Sequence, residues 1–127
     1  MTKLSLVTLI VRDYDEAANW FEAALGFRKT EDAPVGGKRW VVVEAPDGGR
    51  LLLARAEGPR QIERVGDQFA GRVGLFLETS DFDEQARRMA EAGVSFEETP
   101  RNEPYGKVAV FRDLYGNRWD LIEPADR

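Results

Sequence analysis

The chain is one pattern written twice. The turn and strand Pro46-Asp47-Gly48-Gly49-Arg50-Leu51-Leu52-Leu53 return within Asp113-Leu114-Tyr115-Gly116-Asn117-Arg118-Trp119-Asp120-Leu121-Ile122-Glu123-Pro124. The two arginines lie 118 − 50 = 68 residues apart. The acidic openings Asp13-Tyr14-Asp15-Glu16 and Asp81-Phe82-Asp83-Glu84 share that spacing, 81 − 13 = 68. Two matches at one offset, with elements in the same order between them, are hard to attribute to chance. Each copy presents strands and one helix. A helix covers one face of a sheet, so the other face must be buried on something else or line a cleft.

Taken in order, Leu4 to Val11 reads as a buried strand. Asp13 caps a helix whose stripe Ala17, Trp20, Phe21, Ala24, Leu25 has helical spacing. Gly26 ends it. Phe27 to Thr30 is a possible short strand, 33–37 a loop, Arg39 to Glu44 a strand. The Asp47-Gly48-Gly49 turn leads to strand Leu51 to Ala54. In the second copy Arg72 to Thr79 is a strand. Ala86, Met89 and Ala90 mark a helix ended by Gly93, and Val94 to Glu97 is a short strand. Thr99 to Pro104 is a loop, and Gly106 to Arg112 a strand. Gly116 and Asn117 suit the positive φ of a two-residue hairpin turn before the last strand. The expected fold class is α+β, with tandem β-α-β-β-β modules forming a cupped mixed sheet. The expected organisation is a single domain over 1–127, with one module at about 3–55, a linker at about 56–71 and a second module at about 72–124. Within the linker, Gln61 to Val65 could form a helical turn.

Two absences narrow the chemistry. With no cysteine, disulfides and thiolate sites are excluded. With no histidine, imidazole catalysis and imidazole metal ligation are excluded as well. A metal site would need oxygen ligands alone. A net charge of −5 argues against nucleic acid as a partner. No apolar run has the ~18 residues of a membrane helix, and the N-terminus does not read as a signal peptide. The expected compartment is therefore cytoplasmic, with no membrane partner.

The tandem modules, the strand–Asp-x-Asp–helix opening and the Asp-x-x-Gly-Asn-x-Trp ending resemble the vicinal oxygen chelate superfamily over essentially the whole chain. That group includes glyoxalase I, bleomycin-resistance proteins, fosfomycin-resistance enzymes and extradiol dioxygenases. The resemblance implies homodimers, with clefts at or near the interface. In metal-using members it implies two ligands per module. One sits seven residues before the helix-opening Asp, the other four residues after the turn Gly. Those positions hold Leu6, Gly74, Leu52 and Asp120 here. Only Asp120 can ligate, so no metal residue and no cofactor is expected.

Asp120 is the sharpest candidate. As a carboxylate in an apolar cleft it could orient a ligand or serve as a catalytic acid or base. The structural alternative is a salt bridge to Arg118 or Arg72. Leu6, Thr8, Trp40, Leu52, Phe76 and Tyr105 complete the expected ligand-binding set. Tyr105, in a loop, is the aromatic best placed to meet a ligand; Phe76 and Phe111 could line the cleft but fit an ordinary core better. The acidic pairs are read as helix caps, and Glu97-Glu98 as solvated loop ends. The expected function is small-molecule binding without a metal, similar to the bleomycin-resistance branch. The alternatives are a metal-free lyase or isomerase using Asp120, and a regulatory or interaction protein whose cleft packs shut.

Overall fold

The computed structural model describes residues 1–125. It divides into two compact units, Met1–Val65 and the part from Gly66 onward. The division falls inside the stretch expected as a linker.

The first unit contains β1 (Val7–Val11), α1 (Tyr14–Trp20), β2 (Arg28–Val35), β3 (Lys38–Glu44), β4 (Arg50–Arg55) and α2 (Gly58–Arg64). Its sheet runs β1-β4-β3-β2. β1 and β4 are parallel, and the other pairs antiparallel. The Asp13 carboxylate accepts from Glu16 N at 2.8 Å and fixes the start of α1. A π-helical turn over Phe21–Leu25 continues α1, and Gly26 closes it at φ 75°. Ala17, Ala18, Phe21, Ala24 and Leu25 are buried on one side of this helix. Leu9, Val11, Val41, Val43, Leu51 and Leu53 are the buried alternate residues of the sheet.

The second unit contains β5 (Val73–Glu78), α3 (Phe82–Glu91), β6 (Arg101–Glu103), β7 (Gly106–Arg112) and β8 (Arg118–Pro124), in the order β5-β8-β7-β6. Its core is a chain of rings. Phe82, Phe96, Phe111 and Trp119 follow one another with centroids 6.2, 5.9 and 5.7 Å apart. Met89, Ala109 and Leu121 are buried with them.

The 68-residue repeat survives in pairing and chemistry. Leu52 pairs with Thr8 and Val42, and Asp120 with Phe76 and Val110, each number raised by 68. Asp81 accepts from Glu84 N as Asp13 does from Glu16 N. Arg39 bonds Asp15 and lies over the Tyr14 ring. Lys107 repeats this with Asp83 and the Phe82 ring. Both halves thus fasten the helix start to the sheet by a cation shared between a carboxylate and a ring. The α+β class and the two mixed four-stranded sheets follow the sequence expectation.

Several expected boundaries differ. The first strand begins at Val7, and Leu4 is exposed. β2 runs to Val35 through the expected loop. It is an edge strand exposed throughout, where Pro34 breaks no ladder that the sheet needs. The expected strand at Val94 to Glu97 is only an isolated bridge, Phe96 to Phe111. The fourth strand forms instead at Arg101–Glu103, inside the expected loop. A helix occupies Gly58–Arg64, with Pro59 in its first turn, where a proline costs no hydrogen bond. Among the described residues no helix is long and apolar enough to cross a membrane.

Candidate functional site

β8 opens from a buried polar turn. Asp113 Oδ1 accepts from the backbone N–H groups of Tyr115, Gly116 and Asn117 at 3.1, 3.1 and 3.0 Å. Its Oδ2 accepts from Asn117 Nδ2 at 3.1 Å and Trp119 Nε1 at 3.0 Å. Asn117 Oδ1 in turn accepts from Gln68 N at 3.1 Å. This explains why Asp, Gly, Asn and Trp stand at these spacings. The expectation of positive φ at both turn residues holds for Gly116, at 109°, and fails for Asn117. Asn117 is instead a buried side-chain partner of Asp113.

From this turn β8 sends Trp119 and Leu121 to the buried side and Arg118, Asp120 and Ile122 to the other. Asp120 stands between Phe76 on β5 and Val110 on β7. Phe76 is 62% exposed, so it belongs to the open face and not to the core, whereas Phe111 is fully buried. Asp120 Oδ1 is buried with no hydrogen-bond partner. The expected salt bridge to Arg118 or Arg72 does not form. Arg118 instead bonds Glu97 twice, at 3.1 Å, and the Gly71 carbonyl at 3.0 Å. Burial pushes the Asp120 carboxyl above its ordinary range, against a pull downward from Arg101, with Glu98 adding to the rise.

Glu97 and Glu98 are not free loop ends: both are held by partners, although Glu97 stays exposed. Glu98 Oε2 accepts from Val110 N at 3.0 Å and its Oε1 meets Arg101 Nε at 3.0 Å. Arg101 also bonds Glu103 at 3.1 Å and has the Tyr105 side chain as a partner. Tyr105 sits on the β6–β7 connection, 55% exposed. Asp120 therefore faces an Arg101–Glu98 pair that linear spacing does not reveal, because β6 is what brings it there.

In the first unit Thr8 and Leu52 are cross-strand partners, with Val42 beside Leu52. Trp40, on the same side of β3 by strand alternation, is 39% exposed and donates from Nε1 to Glu31 Oε1 at 3.2 Å. Glu31 also pairs with Arg50, as Glu97 does with Arg118, the arginine 68 residues on; the two glutamates lie 97 − 31 = 66 residues apart and so do not keep the repeat's offset. Leu6 lies just before β1, partly buried. Within the units the structure thus joins Thr8 to Leu52 and Phe76 to Asp120.

The donors do not suit a divalent cation. Leu6, Leu52 and Gly74 offer no ligating side chain. The Phe69 ring fills the space at Gly74, where an added Cβ would come within 2.1 Å of it. Among the described residues no group of three or more acidic, histidine or cysteine side chains is arranged to hold a metal.

Comparison with known proteins agrees with this architecture. The sequence model of the Glyoxalase/Bleomycin resistance protein/Dioxygenase superfamily matches residues 3–121. A protein of Shewanella frigidimarina (strain NCIMB 400) is 46% identical over 125 residues, covering 95% of this chain and 93% of its own. The crystal structure of UcmS2 is similar at TM-score 0.82 and 28% identity, covering 97% of this chain and 98% of that one. TnmS3 of Streptomyces sp. CB03234, described as an antibiotic binding protein, is similar at TM-score 0.78 and 30% identity, covering 98% of both chains.

Proposed function

The chain belongs to the glyoxalase/bleomycin resistance protein/dioxygenase superfamily, and on that premise we propose that it binds a small organic molecule through the open faces of its sheets, without a metal. One observation carries this reading: a buried carboxylate oxygen of Asp120 has no partner and lies beside the exposed Phe76. A buried acceptor left unpaired costs about 1–3 kcal/mol, and a ligand N–H or O–H would remove that cost. Phe76 offers a ring for an aromatic or apolar group to stack on. The ligand class is therefore a planar or apolar molecule bearing an amine or amide donor. Arg101, held by Glu98, sets the charge that Asp120 meets, and Tyr105 offers an aromatic edge. Thr8, Leu52, Leu6 and Trp40 are the ligand-facing residues of the first unit in this reading. The likeness to TnmS3, an antibiotic binding protein, supports an organic ligand. The protein acts as a homodimer in this account, which a monomer mass at micromolar concentration would contradict.

The test is a calorimetric and thermal-shift screen of aromatic amines and amides, antibiotics among them, on wild type and Asp120→Asn. Loss of a charge-assisted hydrogen bond should weaken the best binder by about 10- to 100-fold. The melting temperature of the free protein should not fall. Equal affinity in both proteins, or no binder at all, refutes the reading.

The raised protonation range of Asp120 also favours a second reading, acid–base catalysis as a lyase or isomerase. Its mark is a pH–rate profile that disappears in Asp120→Asn.

A further inference from the structure

A pocket lies within the second unit; its lining includes Arg118, which shares the open face of β8 with Asp120, but not Asp120 itself. It has a volume of about 170 Å³, and its lining includes Gly66, Phe69, Gly71 and Gly116 together with three arginines, Arg72, Arg112 and Arg118. We infer that this pocket binds a small oxyanion, a phosphate or phosphate ester, held by these three guanidinium groups.

Three guanidinium groups converging on one concavity repel one another unless an anion lies among them. Glu97 supplies part of that charge. It meets Arg112 Nε at 2.9 Å and Arg118 Nη2 at 3.1 Å, and the two arginines, Arg118 first, lower its carboxyl below the ordinary glutamate range. Arg112 Nη1 and Arg118 Nη1 donate to the carbonyls of Gly116 and Gly71 at 3.1 and 3.0 Å. These bonds anchor both side chains at the pocket wall. Each guanidinium has five N–H groups, so both retain donors beyond those bonds. Arg72 makes no ion pair among the described residues. Asp67 is the one carboxylate in the lining, so the lining carries two more positive groups than negative ones, and Glu97 offsets one of them.

The backbone supplies a second, independent sign. Ala70, between Phe69 and Gly71 in the pocket wall, is the one non-glycine residue with positive φ among those described, at 54°. Such a conformation costs energy in an L-residue and collects at binding loops. Gly66 is required there too: with φ 82°, an added Cβ would stand 1.9 Å from the Tyr115 carbonyl oxygen. The loop is thereby held against the Asp113–Asn117 turn. The volume is well below the roughly 300–1,000 Å³ of pockets for drug-sized ligands, which limits the ligand to an ion or a short ester. Arginine forks match phosphate oxygens in geometry and charge.

The test uses inorganic phosphate and glycerol phosphate as probes, by calorimetry and melting temperature at constant ionic strength set with chloride. Wild type should bind with saturation, and Arg72→Gln should weaken binding by about tenfold or more. Arg72 is exposed, so this variant should fold. Asp120→Asn, which removes a negative charge near Arg118, should bind phosphate at least as tightly as wild type, whereas it should lose the organic ligand, which separates this pocket from the site proposed above. Saturation by glycerol phosphate at lower concentration than by phosphate would assign the ester as the ligand, and the reverse would assign the free ion. A phosphate response no larger than that to chloride, or one unchanged in Arg72→Gln, overturns the inference.

Discussion

Replacing Asp113 by alanine should strongly destabilise the second unit's sheet. The side chain is 7% exposed, and its carboxylate accepts five hydrogen bonds. An orphaned buried donor costs about 1–3 kcal/mol. The three loop amides would recover water as the turn relaxes, but Asn117 Nδ2 and Trp119 Nε1, on residues 2% exposed, would not. Two such donors, with the lost charge-assisted character, place the cost at about 3–5 kcal/mol. Against a usual total of roughly 5–15 kcal/mol, that should lower the melting temperature by more than about 10 °C. The first unit contains its own control. Ala45 occupies the corresponding position, and its turn still closes through Ala45 N to Gly49 O at 3.0 Å and Gly48 N to Ala45 O at 3.1 Å. The carboxylate is therefore needed for the buried side chains and not for the turn itself. Adding Asn117→Gly to Asp113→Ala, which copies Gly49, should restore part of the loss. Urea unfolding with an unchanged m-value measures both. A loss below about 1 kcal/mol, or a double variant less stable than the single one, would refute the reasoning.

Other outcomes follow from the same geometry. Because burial raises the folded-state range of Asp120, its contribution is favourable at low pH and is lost as pH rises through that range. Asp120→Asn should therefore gain stability relative to wild type as pH increases, read from melting curves at several pH values. Gly66→Ala should cost about 1–3 kcal/mol or more, because φ is 82° and the new Cβ meets the Tyr115 carbonyl oxygen; denaturant midpoints give the value. Gly74→Ala should destabilise through the Phe69 ring, and a double-mutant cycle with Phe69→Ala should show that cost shrinking, since the ring is the obstacle.

The repeat was legible because both halves use the same local devices: an Asp cap, a glycine-ended helix, a turn and an arginine. These act over a few residues, so the residue order displays them. What stayed hidden was long-range. The Glu97 clamp on Arg112 and Arg118 exists only once β7 and β8 are paired. The partner of Arg118 was misjudged for the same reason: Asp120 is near in sequence, but Glu97 reaches the guanidinium from the segment bridged to Val110. Phe76 reads as core from its sequence and is exposed in the structure, since a strand aromatic carries no mark of which face it takes. Pro34 and the short β6 broke the strand pattern where edge strands tolerate it. Asp113 looked like an ordinary turn residue, and only Asn117 and Trp119 at fixed spacing hinted at its burial.

The central claim is that the open faces serve an organic ligand and not a metal. A native mass spectrum of the full chain, purified from cells without chelator, tests it most directly. The expected species is a dimer free of divalent metal, carrying an organic adduct that Asp120→Asn loses. A stoichiometric divalent ion on the wild-type protein would contradict it.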